Sequence, residues 1–352
     1  MNGHEVVVAG AGIWGCTVAR CLAEAGRHVL VLEKRPVVGG NCRCERDAET
    51  GIEVHTYGSH IFHTSIPEVW EFVTRFTSFN DYRHVVLAKH AGKTYHLPIG
   101  RTLYREFGTD DPAAIFDAFI RNYTAKQWGV PADRVDPAVI RRLKVRDNES
   151  VRYFDDTWEG IPSDGYNALF DRLLDHPNIE VRCNAAFSLS DLEDCSAPNA
   201  PYAVYYSGPI DALFDYRFGA LPWRTLRFET ERLNVRDAQH NSVVNYVDAD
   251  VPFTRQHEYK HFHPGESRWG YDLDKTIICR EYSAAWVPGD EPYYPVNNPE
   301  SAALLSRYLQ EADAVNARLA DRGIRLVIGG RLGQYKYFDM DKSIESALNV
   351  VR

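Results

Sequence analysis

Three glycines near the N-terminus have the G-x-G-x-x-G spacing of a dinucleotide-binding turn: Gly10, Gly12 and Gly15. The apolar run 5–9 before them predicts a buried strand, and the segment after them predicts a helix. In such a turn the first glycine permits the bend, the second lets the backbone approach a pyrophosphate, and the third lets helix and strand pack closely. A second apolar strand ends at Glu33, where a carboxylate can accept hydrogen bonds from a ribose. The chain therefore opens as a doubly wound α/β domain that binds NAD or FAD.

A second glycine turn follows the acidic residue and favours FAD over NAD. Lys34 comes directly after Glu33, and a Gly39-Gly40-Asn41 segment follows soon afterwards. A paired-glycine turn in this place resembles flavoproteins with the same nucleotide-binding fold. We therefore expect Lys34, Gly40 and Asn41 to contact the cofactor together with the first turn.

Charge and cysteine content narrow the class of protein. The 352 residues carry a formal net charge of −9, which argues against general binding of nucleic acids. An anionic substrate would then need locally placed arginines. The seven cysteines include no C-x-x-C pair, which is typical of free thiols in a reducing cytoplasm. No apolar run is long enough to predict a membrane span.

The rest of the chain predicts a second architecture. Residues 111–127 predict a helix with Pro112 in its first turn, and residues 137–143 predict another short helix. Residues 222–287 alternate between polar and apolar side chains, which is typical of an antiparallel sheet. Residues 300–322 then predict an amphipathic helix, and a last strand and helix follow.

Two long motifs narrow the sequence to one protein family. Residues 57–64 (YGSHIFHT) and residues 122–129 (NYTAKQWG) together resemble the UDP-galactopyranose mutase family. Further matching segments occur in the same order, at residues 208–211, 214–219, 227–231, 251–255, 289–297, 329–331 and 335–340. The resemblance thus spans nearly the whole chain.

The resemblance implies a three-part α/β protein. A Rossmann-like FAD-binding domain would comprise residues 1–78, 162–212 and 322–352. A small helical domain, shortened here, would comprise residues 101–145. An antiparallel β-sheet domain that binds substrate would comprise residues 79–100, 146–161 and 213–321. Relatives in the family are often dimers, so a homodimer is a further expectation.

The resemblance also implies an activity and its residues. Members interconvert pyranose and furanose forms of a nucleotide-linked hexose through an adduct between reduced flavin N5 and sugar C1, without net redox change. Arg142 and Arg255 would grip the leaving diphosphate, because a guanidinium binds phosphate oxygens bidentately. The other implied residues are His63 as a third catalytic residue; Tyr123, Trp128, Tyr153, Tyr294, Tyr337, Asp339 and His84 at the substrate; and His60, Arg331 and Met340 at the cofactor.

Several alternatives stay open. His84 stands where the family usually has asparagine, so the substrate could carry another sugar, or GDP or dTDP in place of UDP. An amine-oxidase-like flavin oxidoreductase would share the cofactor fold, and a non-catalytic protein could bind nucleotide sugars without flavin. His257, Glu258 and His261 match the zinc pattern H-E-x-x-H. That pattern requires a helix, whereas a strand and a turn are predicted here, so we expect no metal.

Overall fold

The computed structural model describes residues 4–135, 145–193 and 200–352. The strands are β1 Val6–Ala9, β2 Val29–Glu33, β3 Cys44–Arg46, β4 Glu53–His55, β5 Phe62–Thr64, β6 Val86–His90, β7 Lys93–Leu97, β8 Trp158–Gly160, β9 Ile179–Cys183, β10 Ala203–Tyr206, β11 Trp223–Leu233, β12 Val243–Tyr246, β13 Arg255–Glu258, β14 Thr276–Ala285, β15 Tyr294–Pro295 and β16 Arg325–Ile328. The helices are α1 Ile13–Glu24, α2 Pro67–Thr74, α3 Arg101–Phe107, α4 Pro112–Ile115, α5 Asn122–Trp128, α6 Gly165–Leu174, α7 Ser190–Glu193, α8 Ile210–Leu213, α9 Pro299–Ala320, α10 Gly330–Gly333 and α11 Met340–Val351.

A five-stranded parallel sheet has the order β16-β10-β1-β2-β9. Strands β1 and β2 are buried throughout and apolar except for Glu33 at the end of β2, as expected for strands covered on both faces. Val6 is paired with Ala203 on one side and with Val29 on the other. Residues far apart in the chain therefore complete the sheet around β1.

Helices cover both faces of this sheet. On one face α1 packs against α11 and α6, and Trp14 and Ile344 are buried in the shared core. On the other face Tyr308 and Val315 of α9 belong to a core that includes Leu30 of β2. The sheet thus carries two hydrophobic layers, which is the doubly wound arrangement that the first strands and glycines predict.

A seven-stranded sheet forms the second part, in the order β15-β11-β14-β13-β12-β6-β7. The long pair β11–β14 is antiparallel, in agreement with the alternating pattern. The pair β6–β12 is parallel, which the pattern did not predict. The reason is topological, because the β6–β7 hairpin comes from an earlier segment of the chain and joins the edge of β12 from outside.

The helical segment beside this sheet is broken. The predicted helix over 111–127 forms as α4, a π-helical turn at Phe116–Arg121 and α5. The Asp111 carboxylate caps α4 by accepting hydrogen bonds from two backbone N–H groups. Ile115 and Phe119 pack with Val247, so the segment is anchored on the sheet. The predicted helix over 137–143 lies outside the described residues.

The boundaries of the three regions stay a prediction. In the part of the chain described above, no helix has the length and apolarity needed to cross a bilayer.

Candidate functional site

The first glycine turn is packed so tightly that Gly10 and Gly15 cannot carry side chains. Gly10 has a φ of +104°, in the region that favours glycine. A Cβ on Gly15 would lie 1.9 Å from the Gly10 carbonyl oxygen. The Ala11 N–H donates to Glu33 Oε2 at 2.8 Å, so the carboxylate that was predicted to face a ribose also fixes the turn. A second carboxylate oxygen accepts from the Arg35 N–H at 2.9 Å.

The second glycine turn lies directly against the first. The Gly39 N–H donates to the Ala11 carbonyl oxygen at 2.8 Å. Gly40 has a φ of +55°, and a Cβ there would lie 2.9 Å from Gly12 Cα. Gly12 itself has room for a methyl group, since its Cβ would meet only Gly40 Cα at 3.8 Å. The two turns together form a cradle without side chains, which fits a dinucleotide pyrophosphate.

Arg35, which was not predicted from the sequence, adds positive charge to this cradle. Arg35 Nη2 donates to Asn41 Oδ1 at 2.9 Å and forms an ion pair with Glu291. Its Nε and Nη1 are buried and have no hydrogen-bond partner among the described residues. Buried donors without acceptors are costly, so they are available to an anionic group such as a cofactor phosphate. Lys34 lines a cavity of about 220 Å³ together with Trp286 and residues 289–292, and its contact with the cofactor stays a prediction.

The loop of residues 57–64 brings His60 toward the predicted cofactor end. His60 Nδ1 lies 2.6 Å from the Gly58 carbonyl oxygen, so Nδ1–H donates and Nε2 keeps its lone pair. Burial, reinforced by the charge of Arg331, lowers the pKa of His60 to about 4. The Asp339 carboxylate opposes this shift in the pKa of His60. Met340 follows Asp339 at the start of α11 and packs against the main core.

Arg255 lies at the start of β13 in a network of polar groups. Its Nε donates to Tyr123 Oη at 2.7 Å, and its Nη1 lies 3.7 Å from Glu281 Oε1. Glu281 Oε2 lies 3.2 Å from His257 Nε2, and His257 Nδ1 lies 2.6 Å from Ser59 Oγ. Burial alone would raise the pKa of Glu281, but the charges of Arg255 and His257 lower it to about 2. A negative charge therefore fixes the guanidinium, whose side chain remains 28% exposed for a ligand.

Aromatic side chains surround this arginine. Tyr294 stacks on Tyr337 with 5.8 Å between ring centroids, and its ring lies 6.4 Å from that of Trp128. The Arg331 guanidinium lies 5.0 Å from the Tyr337 ring. Burial raises the pKa of Tyr294, whereas the charges of Arg255 and Arg331 lower it, so Tyr294 is close to both arginines. The structure thus brings these predicted substrate residues together with Arg255 and Arg331 in one cluster of rings and guanidinium groups, which we call the cleft.

His84 belongs to a stack of rings at the same site. Its ring lies 5.5 Å from Tyr153 and 5.5 Å from Phe154, and Phe154 stacks on His63 at 3.6 Å. His63 Nδ1 also lies 2.8 Å from an Asp156 carboxylate oxygen. Burial and the nearby charge of Arg255 lower the pKa of His84 to about 3, so His84 is neutral at pH 7.

Asn245 is a further residue beside Arg255 that was not predicted from the sequence. This residue on β12 is directly paired with Arg255 on β13. Asn245 is buried, and its Oδ1 has no hydrogen-bond partner among the described residues. Trp128 Nε1 is likewise buried without a partner in the described part of the chain. An acceptor and a donor are therefore left for a bound molecule. Asparagine near a matched motif was the only sequence signal for it.

The H-E-x-x-H segment does not form a zinc-protease site. It runs from β13 into a 3₁₀ turn, and its histidines face different partners, Glu281 for His257 and Asp237 for His261. The Glu258 carboxylate already accepts hydrogen bonds from Thr276 Oγ1 and from two backbone N–H groups. Its oxygens are therefore engaged, as a buried carboxylate requires.

A second cluster of potential metal ligands consists of Cys44, Glu53 and His55. The His60 N–H donates to His55 Nδ1 at 3.0 Å. Because a backbone N–H can only donate, the neutral His55 ring must carry its proton on Nε2, which faces the cluster. In this tautomer Nε2 has no lone pair free for a metal ion, and it lies 4.0 Å from the nearest Glu53 carboxylate oxygen.

The buried histidines predict acid sensitivity of the fold. Burial lowers the pKa of His84 to about 3, of His60 to about 4 and of His55 well below its usual value. All three are neutral in the folded chain and become protonated on unfolding below pH 6.5. Their contribution to stability is complete above that pH and falls as the pH drops toward their folded pKa values. Each lowers the free energy of unfolding by about 1.4 kcal/mol per pH unit in this window.

Urea unfolding of the FAD-saturated protein between pH 7.5 and pH 5 measures this slope. In His84→Asn the dependence of the free energy of unfolding on pH should be smaller by about 1.4 kcal/mol per pH unit, which corresponds to one proton fewer taken up on unfolding. An equal slope in both proteins would contradict the buried neutral state of His84.

One predicted residue cannot be placed. Arg142 lies outside the described residues, so its role as a diphosphate ligand stays a prediction from the resemblance.

A parallel sheet with two glycine turns at its strand ends, joined to a cationic aromatic cleft, defines an enzyme of the Rossmann-type, dinucleotide-dependent class. Residues 118–337 match the model of the UDP-galactopyranose mutase family, and residues 8–76 match an NAD(P)-binding Rossmann-like domain. The chain belongs to the UDP-galactopyranose mutase family. This family is FAD-dependent, and membership confirms the predicted fold class, mutase class and cofactor.

Two relatives and one solved structure give the extent of the similarity. A dTDP-fucopyranose mutase of Escherichia coli is 34% identical over 377 residues, which cover 98% of this chain and 97% of the relative. A probable UDP-galactopyranose mutase of Klebsiella pneumoniae is 34% identical over 381 residues, which cover 99% and 94%. The crystal structure of a reduced UDP-galactopyranose mutase superposes with a TM-score of 0.68 at 16% identity, covering 100% of this chain and 93% of that one.

Proposed function

We propose that the chain interconverts the pyranose and furanose forms of a UDP-linked hexose, with UDP-galactose as the first candidate. The observation that carries this proposal is the position of Arg255. It is held by Tyr123 and Glu281 in a cleft lined by Tyr294, in a chain whose family and relatives are mutases.

The cofactor cradle fits FAD. The turns at Gly10–Gly15 and Gly39–Asn41 would hold the pyrophosphate, Glu33 the ribose, and the unpaired donors of Arg35 a phosphate oxygen. Bound and reduced, FAD would supply an electron-rich ring nitrogen as nucleophile toward the sugar.

The residues of the chain would bind and orient the substrate. Arg255 would bind the diphosphate, and the predicted Arg142 would assist, so that the leaving group stays in place for the return step. Glu281 keeps the guanidinium in position. The hydroxyl groups of Tyr294 and Tyr337 would donate hydrogen bonds to phosphate oxygens, and their rings would offer stacking faces to the nucleotide. His60 Nε2 and the Asn245 Oδ1 would accept hydrogen bonds from sugar hydroxyl groups.

A dTDP-linked sugar is the second candidate. The dTDP-fucopyranose mutase is as similar to this chain as the UDP-galactopyranose relative is, at 34% identity. A GDP-linked sugar and an amine-oxidase-like oxidoreductase remain weaker alternatives. Action in the cytoplasm as a homodimer is part of the proposal. The six described cysteines are all free thiols, which supports a reducing compartment.

One experiment separates these functions. The purified protein is reduced with dithionite, UDP-galactofuranose is added, and UDP-galactopyranose is followed by chromatography. We expect conversion only after reduction and without stoichiometric loss of the reductant. The dTDP- and GDP-linked sugars are then compared by kcat/KM. Conversion by the oxidised protein, or consumption of one oxidant per turnover, would refute the mutase proposal.

A further inference from the structure

Lys126 lies in α5, the helix that also carries Tyr123 and Trp128. Its ammonium donates to four backbone carbonyl oxygens, those of Tyr246, Asp248, Val251 and Phe253, at 2.6, 2.9, 2.9 and 3.1 Å. An ammonium has three protons, so one of them is shared between two of these acceptors. The loop between β12 and β13 is therefore held together by hydrogen bonds to one ammonium group.

This connection carries residues of the site at both ends. Tyr246 follows Asn245, and Phe253 precedes Arg255 by two residues. On the helix, Lys126 lies one turn from Tyr123, whose hydroxyl oxygen accepts the hydrogen bond from Arg255 Nε. One ammonium thus joins the three segments that present Tyr123, Asn245 and Arg255 to the cleft.

A charged group is needed in this place. Four carbonyl dipoles point at one spot, and an apolar side chain would leave them without a donor. Burial lowers the pKa of Lys126 to about 8, although the carboxylates of Asp248 and Asp250 oppose the shift. Lys126 is therefore still mostly protonated at neutral pH, at a cost in desolvation that the carbonyl groups offset.

We infer that Lys126 is a positioning residue for the diphosphate end of the substrate, because its ammonium fixes Tyr123 and Arg255 relative to each other. The inference rests on the proposed function. It concerns how tightly nucleotide binds and assigns Lys126 no contact with the substrate.

The chain offers a matched control. Lys260 is buried, whereas Lys126 is half-buried, and the Lys260 ammonium likewise donates to backbone carbonyl oxygens, those of Arg236, Leu273 and Lys275, at 2.8, 2.8 and 3.0 Å. None of these three residues belongs to the predicted site. Lys126→Met and Lys260→Met therefore remove similar cages, one at the cleft and one away from it.

The test measures the Kd of UDP for the oxidised, FAD-loaded protein by calorimetry, together with FAD content, Tm, KM and kcat. We expect Lys126→Met to raise the Kd of UDP and the KM by about tenfold, with kcat within about threefold of the parent. Lys260→Met should lower the Tm by about as much as Lys126→Met does, because each variant removes an ammonium from a set of carbonyl acceptors. It should leave the Kd of UDP within about twofold of the parent. Both variants should keep FAD.

Each outcome decides the inference. An unchanged Kd in Lys126→Met, or an equal increase in Lys260→Met, would overturn it. If Lys126→Met does not fold, Lys126→Gln keeps two N–H donors, and a raised Kd with full FAD content supports the inference while an unchanged Kd overturns it. If the parent protein binds neither UDP nor dTDP, the proposed function and the inference that rests on it both fail. If the parent binds UDP and Lys126→Met binds it equally well, only the inference fails.

Discussion

Arg255→Ala is expected to lower kcat/KM for the nucleotide sugar by about 1,000-fold while FAD remains bound. The Arg255 guanidinium is held by the Glu281 carboxylate and is still partly exposed, so it can bind a ligand. Its loss removes the charge that would hold the diphosphate during ring opening. Steady-state kinetics and the flavin absorbance spectrum measure the two parts of this result. The same outcome is expected for Arg142→Ala on the basis of the resemblance.

The control must account for Glu281. Without Arg255 this buried carboxylate loses its main positive neighbour, and an unpaired buried charge costs about 3–5 kcal/mol. Arg255→Ala alone should therefore lower the Tm. Adding Glu281→Gln should restore the Tm without restoring activity. Arg255→Lys keeps the charge but loses the bidentate fork and should be intermediate. Full activity in Arg255→Ala would remove Arg255 from the site.

Gly12→Ala is expected to give a folded protein that has lost its cofactor. The new methyl group meets only Gly40 Cα, at 3.8 Å, and Gly12 has a φ of −78°, which alanine adopts readily. The same methyl group would occupy the space where a pyrophosphate must approach the backbone. We expect the Kd of FAD to rise at least about 100-fold, measured by flavin fluorescence titration of the apoprotein.

Two neighbouring substitutions test the reason for this effect. In Gly15→Ala the methyl group would lie 1.9 Å from the Gly10 carbonyl oxygen, so the turn itself should fail and stability should fall. In Gly26→Ala the methyl group meets open space, although the φ of +84° is strained for alanine. That variant should lose about 1 kcal/mol of stability and bind FAD normally. Tight FAD binding by Gly12→Ala would contradict the proposed seat of the pyrophosphate.

The sequence predicted those parts of the protein that local patterns encode. The turn from Gly10 to Gly15, the buried strand that ends at Glu33 and the amphipathic helix α9 follow from spacing and periodicity alone. The assignment of residues to the cleft came from the family resemblance of long motifs and stays a prediction. The absence of a helix at the H-E-x-x-H segment also followed from its local pattern, because a strand and a turn flank it.

Long-range contacts could not be predicted in this way. The hydrogen bond between Arg255 and Tyr123 joins residues 132 positions apart, and the one between His257 and Ser59 joins residues 198 positions apart. No pattern within a window of the sequence contains such pairs. The same holds for the cage around Lys126, where the acceptors are backbone carbonyl groups and leave no trace in residue identity. The sequence could not indicate Arg35 either, because only the fold decides which side chain turns toward Asn41.

The strand order of the parallel sheet has a consequence for synthesis on the ribosome. β1 leaves the ribosome well before its neighbour β10, and β16 and α11 follow later still. The nascent glycine turn therefore has an unpaired strand edge and one uncovered sheet face until those segments have been made. The complete cofactor site forms only after α11 has been synthesised, so nonsense mutations in the codons of α11 would be as damaging to flavin loading as those in the codons of β1.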